Sequence, residues 1–386
     1  MIGTSIAKST TQKGDGGAIL LSLESTLRVD DTTTFENNVA KVGSGGAISC
    51  EQCDWMKFKG STEFRSNKAR NSGGAVHLSL PMSPVISAGT HFFGNTASVG
   101  NGGAVNIHNG NWTSLGDSFE ANMAVEGSGG AFSSFATTVR FDETTSCRRN
   151  SALQGGGGCL LWEPEADSAT DNKWKTLEPV IGNKSLMASN EAAYGKTLAT
   201  PGASLLAVVD SAGSTTTMTR MTTNDKNMFA ALHPKVQVLD RYGVIVRGKF
   251  AENVEVEAKL HGDDGAELFG ATITKVSKNG TTPFSGLGIQ GQPGSGPHNI
   301  TFQASSGTSL LETLIPVFAW IAECGENMYL EADRCVKCPA RSMSEPGSTN
   351  RQNCICDSNE YPGVFKDQNG ECSFCPINSV LQNGVI

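Results

Sequence analysis

A short phrase recurs through the first half of this chain: an aromatic residue, two further residues, an asparagine and, a few positions on, two glycines and a small residue. Clear copies are Phe35 and Asn38 with Gly45-Gly46-Ala47, Phe64 and Asn67 with Gly73-Gly74-Ala75, Phe92 and Asn95 with Gly102-Gly103-Ala104, and Phe119 and Asn122 with Gly129-Gly130-Ala131. A fifth copy has Cys147 in the aromatic slot and runs from Asn150 to Gly157-Gly158-Cys159. The first glycines stand at 45, 73, 102, 129 and 157, so the steps are 28, 29, 27 and 28 residues. A fixed period of this size marks a solenoid, in which each repeat buries its apolar face only against its neighbours. Function then belongs on long outer faces rather than in a pocket.

Each phrase is followed by a strand-like run such as Ala47-Ile48-Ser49, Ala75-Val76-His77-Leu78 or Ala104-Val105-Asn106-Ile107, and helical periodicity is absent. The fold class expected is all-β: a parallel β-helix over residues 1–202 with coils stacked about 4.8 Å apart. Ile6 and Ser9 fill the aromatic and asparagine slots ahead of Gly16-Gly17-Ala18, a degenerate first copy that brings the count to six. Met187, Asn190 and Ala193-Tyr194-Gly195 read as a last degenerate coil after a long loop at 163–184.

The repeated residues have structural tasks. Phe35, Phe64, Phe92 and Phe119 are expected to stack as an interior aromatic ladder. Asn38, Asn67, Asn95, Asn122 and Asn150 are expected to form an amide ladder at a bend. The glycine pairs allow positive φ and close approach of one coil to the next. No lysine follows them, as a phosphate-cradling loop would require.

The net charge of −8 and the lack of a basic cluster exclude a nucleic-acid binder. No cofactor or metal site is expected. The longest apolar stretch, 314–322, is too short to span a bilayer. Glycosylation sequons begin at Asn111, Asn183, Asn279 and Asn299. Together with 11 cysteines, seven of them beyond residue 323, they point to an oxidising secretory route and an extracellular or cell-surface location. The N-terminus has no signal-peptide pattern, and the phrase is in mid-course there. The chain is therefore expected to be an internal piece of a longer secreted protein.

β-Helices also cleave polysaccharides, which needs carboxylates aligned on one exposed sheet. No slot repeatedly carries Asp or Glu: Asp30-Asp31, Asp54, Asp117 and Asp142 fall singly. His77 and His108 occupy different slots and read as strand surface residues. No catalytic residue is expected. The alternative is a carbohydrate-binding or polysaccharide-cleaving β-helix that uses exposed Trp112, Trp162 or Trp174 as sugar platforms.

The paired Phe-x-x-Asn and Gly-Gly-Ala-Ile elements over residues 6–160 resemble the repeats of the chlamydial polymorphic outer-membrane proteins, which also occur in large surface proteins of algae and other protists. The resemblance implies a right-handed β-helix displayed outside a cell, often for adhesion. Nothing here corresponds to the C-terminal barrel of the bacterial members.

From Ser204 the phrase gives way to alternating β-branched segments separated by turns, as expected of an antiparallel β-sandwich over 203–323. The run 235–246, with valines flanking Asp240-Arg241-Tyr242-Gly243, resembles the opening strand of filamin-like or invasin-like immunoglobulin-type domains.

The tail, 324–386, holds two Cys-x-x-Cys-Pro units at Cys335 and Cys372 with Cys354 and Cys356 between them. Two such pairs can hold zinc, but the separation is long and two cysteines intervene, so disulfides are preferred. The arrangement resembles ephrin-receptor-like (or EGF-like) cysteine-rich modules, here truncated. A ladder of neighbouring pairs is expected: Cys324–Cys335, Cys338–Cys354 and Cys356–Cys372, with Cys375 pairing beyond Ile386. Cys50–Cys53 and Cys147–Cys159 are expected in the repeats.

The function expected is that of a non-enzymatic structural or adhesive glycoprotein of a cell surface or filament, such as a flagellar hair or wall fibre. Its partners would be other copies of itself, other surface glycoproteins or glycans. An uncapped solenoid end, with unpaired backbone groups, would favour polymerisation.

Overall fold

The computed structural model describes residues 3–30, 32–164, 178–209, 230–232, 234–252, 254–262, 265–306, 309–313, 316–332, 334–367 and 369–374. Its first part is a parallel β-solenoid. Each coil lays down four short strands; one coil uses Glu63–Arg65, Lys68–Ala69, Val76–Ser79 and Val85–Ala88. Equivalent strands of successive coils pair in parallel to give sheets of six, seven, seven and six strands. An aromatic sheet runs from Ser5–Ala7 to Ser146–Arg148 and an alanine sheet from Thr10–Thr11 to Glu191–Tyr194. A third, apolar sheet runs from Ile19–Ser22 to Leu198–Ala199, and a fourth, basic sheet from Thr26–Val29 to Val180–Ile181.

The phrase dictates this path. The aromatic lies at the centre of its strand and points inward, since neighbouring side chains in a strand face opposite ways. The residue just before each asparagine slot turns the corner at positive φ: Lys8 (ahead of Ser9), Asn37, Ser66, Gly94, Ala121, Arg149 and Ser189 all do so. Of each glycine pair, the first sits at positive φ, where a Cβ on Gly73 would come 2.2 Å from the Val76 carbonyl oxygen. The second abuts the next coil, where a Cβ on Gly74 would come 2.0 Å from the Gly103 oxygen. Neither position admits a side chain.

The last coil obeys the same rules. Asn190 continues the asparagine column, and Tyr194 and Leu198 pair with the preceding coil. Lys196 stands where a second glycine would be, and the Gly158 backbone packs on its carbonyl oxygen. A side chain is tolerated there because no further coil stacks on it.

Three antiparallel sheets follow the solenoid. One joins Ser204–Val209, Pro234–Leu239 and Thr281–Pro283; another joins Ala230–Leu232, Leu287–Gln290 and Glu267–Gly270. The largest has Ile273–Lys275, Glu255–His261, His298–Ser306 and Ser309–Glu312, with Val317–Ala319 at one end. Val236, Val238, Val256, Phe284, Ile289, Ile300 and Phe302 fill the core between them. The Asp240 turn closes as its composition requires: Oδ1 accepts the Tyr242 and Val244 amides, each at 2.9 Å, and Gly243 takes positive φ.

This region covers the solenoid's last coil. Leu161, Tyr194 and Ala199 share a buried cluster with Leu205 and Val246. Trp162 Nε1 donates to the Tyr242 hydroxyl at 2.7 Å, and Lys249 pairs with Glu126 at 2.7 Å. The expected open end is therefore closed on this side, because a β-helix terminus buries its exposed backbone and apolar cap when a neighbouring sheet can do so.

The tail consists of three small hairpins, Met328–Glu331 with Arg334–Lys337, Ser342–Met343 with Ile355–Cys356, and Val364–Lys366 with Cys372–Phe374. Disulfides Cys324–Cys335, Cys338–Cys354 and Cys356–Cys372 tie them, and Cys50–Cys53 and Cys147–Cys159 tie the solenoid. With so little apolar burial of its own, the tail depends on such staples. Cys375 lies outside the described residues.

Candidate functional site

The most repeated residues are sealed inside. Phe35, Phe64, Phe92 and Phe119 stack with ring centroids 4.9, 5.0 and 4.8 Å apart and within 5° of parallel. Cys147 interrupts the column and bonds to Cys159, so the stack turns to Phe141 at 5.6 Å. Beside it runs the amide ladder. Asn95 Oδ1 accepts both the backbone amide and the side-chain amide of Asn67, each at 3.0 Å, while Asn95 Nδ2 donates to the Phe64 carbonyl and to Asn122 Oδ1. The same set repeats from Asn38 to Asn190. All side-chain amide valences that the corner offers are used, which fixes the coils in register.

Two of the three expected sugar platforms are not on the surface. Trp112 and Trp162 are each 1% exposed. Trp112 belongs to an inward column between Val85 and Val139, and its Nε1 donates to Ser114 Oγ at 2.9 Å. Strand parity, not residue type, decides the matter: both tryptophans occupy inward positions. Trp174 lies outside the described residues.

What faces solvent on the aromatic sheet is the residue after each ring. Glu36, Arg65, Phe93, Glu120 and Arg148 form one column, in direct register from strand to strand. Thr34, Glu63, His91, Ser118 and Ser146 form the column beside it. Phe93 is 44% exposed, and the Arg65 guanidinium lies 5.9 Å from its ring centroid. Arg65 also pairs with Glu63 at 2.8 Å, and Arg149 pairs with Glu120. A shallow cleft of about 140 Å³ lies between Glu63, Arg65, His91, Phe93 and Glu120. The one-residue offset from the phrase was available in the sequence, but the column carries no repeated residue and so gave no signal.

The basic sheet presents Arg28, Lys57 and Arg140 along one outward column, with Lys59 beside it. Desolvation, then Lys59 and Arg28, pull the Lys57 ammonium below the usual lysine range. Asn111, the first sequon asparagine, is exposed on this face. Asn279 is exposed in a turn and Asn183 half-buried. Asn299 is half-buried in a central strand between His261 and Phe318.

His77 and His108 do occupy different slots, yet the stacking brings them together diagonally across neighbouring strands. Their rings lie 5.8 Å apart, near perpendicular, with His77 Nδ1 at 2.9 Å from Asn106 Oδ1. Burial first, opposed in part by Asn106, holds the His77 imidazole below the usual range; burial and then His77 do the same to His108.

One carboxyl is conspicuous for its surroundings. Thr33, Thr62, Thr90, Asp117 and Thr145 all stand just before the strands of the aromatic sheet, and all are buried. Asp117 is the exception in a threonine column. Its Oδ1 accepts the Thr90 amide at 2.8 Å and its Oδ2 has no hydrogen-bond partner. Burial pushes the carboxyl up to about 7, tempered by the Ser114 hydroxyl, the Thr90 amide and the Ser87 hydroxyl. Sealed from solvent, it can reach no substrate.

Fold and faces define a short β-solenoid scaffold with decorated outer sheets. Residues 32–51, which carry Phe35, Asn38 and Gly45-Gly46-Ala47-Ile48, match the Chlamydia polymorphic membrane protein repeat. The other phrases occupy the same rung positions, so this repeat type fits the solenoid as a whole. No curated protein and no solved structure gives a match.

Proposed function

We propose that this chain is a surface-displayed structural and adhesive protein that acts through non-covalent contacts on the outer sheets of its solenoid. The observation that carries this reading is the division of labour within each coil. The residues common to all coils point inward or close corners, whereas the outward residues differ from coil to coil on flat, parallel sheets. Such a scaffold holds a stable frame and leaves the faces free to specify partners. The match to a membrane-protein repeat and five disulfides support an extracellular or surface location.

In this reading the antiparallel region is an immunoglobulin-like spacer and the cysteine-rich tail an ephrin-receptor-like stalk. The protein performs no covalent chemistry. Glu36 and Glu120, which share an outward column, stand three rungs apart, about 14 Å at the ordinary strand spacing. Glycoside hydrolysis needs carboxyl pairs at about 5–9.5 Å. Glycans on Asn111 and Asn279, both exposed, would leave the aromatic sheet clear.

Antibodies against the chain test this on cells that produce it. Labelling of intact, unpermeabilised cells is expected; labelling that appears only after permeabilisation would overturn the surface reading.

A further inference from the structure

Beyond the small Ala7 of the first strand, the outward column of the aromatic sheet reads, rung by rung, Glu36, Arg65, Phe93, Glu120, Arg148. Its charge order is negative, positive, aromatic, negative, positive. Turned end for end, the order becomes positive, negative, aromatic, positive, negative. The column is therefore complementary to its own reversed copy, with Phe93 at the centre. We propose that this sheet docks face to face, antiparallel, on the same sheet of a second copy of the chain. This deepens the contact reading above by naming the face and the partner.

The geometry of a two-fold axis supports it. An axis along the His91–Phe93 strand reverses the solenoid direction and brings the two faces together without shifting columns sideways. Glu36 then meets the partner copy's Arg148, Arg65 meets Glu120, and Phe93 meets Phe93. Each contact occurs twice, as an isologous interface demands. The neighbouring column agrees, since His91 meets His91 and Glu63 meets Ser118, so no like charges are opposed there. Within each copy, Glu63 pairs with Arg65 and Arg149 with Glu120. The face balances to near neutrality although the chain carries −8. Phe93, 44% exposed, supplies the apolar centre that a contact needs.

The area is small. Five rungs at about 4.8 Å and three residues at about 3.3 Å give roughly 240 Å² per copy, against roughly 800 Å² for a stable complex. A single contact is weak, and it becomes effective when many copies on one surface meet many on another. Antiparallel solenoids are the arrangement that two opposed surfaces present to each other.

Beads densely coated with the full chain provide the test. Wild-type beads are expected to aggregate with one another, less so as salt rises. With Arg65→Glu on every bead, the contact between positions 65 and 120 opposes two carboxylates, twice per interface. With Glu120→Arg on every bead, the same contact opposes two guanidinium groups, so each variant should aggregate at least tenfold less. Mixed together, the two variants pair opposite charges at both sites, and mixed aggregation should return to within threefold of wild type. The double variant R65E/E120R should likewise recover with itself. Arg65 is exposed and Glu120 half-buried on the outer face, and unchanged circular dichroism checks the fold. A second measurement is Phe93→Cys in a Cys375→Ser background, which should cross-link into a dimer on oxidation while Leu115→Cys, on the basic sheet, does not. Wild-type beads that stay dispersed, mixed variants that fail to recover, or equal cross-linking at both positions would overturn the proposal. Surface labelling of cells is unaffected by any of these outcomes, so failure here is distinct from failure of the surface reading.

Discussion

Asn95 accepts two hydrogen bonds from Asn67, one from its backbone amide and one from its side chain, both at 3.0 Å. Each asparagine in the column does the same for the coil before it, which makes the amide ladder a chain of mutually dependent buried bonds. Asn95→Ala would leave the Asn67 donors, the Phe64 carbonyl and Asn122 Oδ1 short of a partner. A buried unsatisfied group costs about 1–3 kcal/mol, so the solenoid's urea midpoint should fall by the equivalent of about 3 kcal/mol or more. Asn95→Asp should be no better, because a carboxylate would face the Phe64 carbonyl and Asn122 Oδ1, both acceptors.

The glycine pairs separate two kinds of requirement. Gly74→Ala would put a Cβ 2.0 Å from the Gly103 oxygen and should destabilise by more than about 3 kcal/mol, among the large effects of single substitutions. Gly94→Ala meets nothing closer than Ser66 Oγ at 3.6 Å and bears only the left-handed backbone, about 1–2 kcal/mol. Thermal unfolding of the two variants should rank them in that order.

Asp117 predicts a pH dependence of definite sign. Its folded pKa, about 7, lies above the ordinary value of 3.8. The folded state therefore holds the proton more tightly. This group's contribution is fully present below about pH 4 and is lost as pH rises through 7. Across that window stability should fall by about 1.4 kcal/mol per pH unit from this group. Asp117→Thr, which restores the threonine column, should remove the slope and be more stable than wild type at pH 8. Chemical denaturation at pH 5 and 8 checks both.

The disulfides should open in two classes. Cys50, Cys53, Cys147 and Cys159 are at most 1% exposed. Each tail bond has one half-buried partner: Cys335, Cys338 or Cys356. Mild reduction followed by alkylation and mass mapping should label the tail first, with the solenoid's parallel-sheet signature intact. Simultaneous labelling of both classes would contradict this.

How much of this was legible in the sequence depended on what repeats. Period, coil count, both ladders and the glycine packing are imposed by sterics identical in every coil, so they leave the same letters at every turn. Even Lys196 is informative, since it breaks the pair where no coil follows. The outward columns leave no such trace: Glu36, Arg65 and Phe93 share a position but no chemistry. Trp112 and Trp162 misled because tryptophan suits both a core and a surface, and only strand parity distinguishes them. The covered last coil was equally hidden, because Tyr194 and Tyr242 belong to segments that meet only after folding.

In the proposed reading the phrase builds the frame and the outward residues make the contact. Attachment of chain-coated beads to intact producing cells tests that division most directly, comparing wild type with a variant in which Glu36, Arg65, Phe93, Glu120 and Arg148 are all replaced by alanine. Attachment should fall tenfold or more while the unfolding temperature stays within about 2 °C, as expected for outward positions away from the core. Attachment that persists unchanged, or that falls only as the fold is lost, would contradict the account.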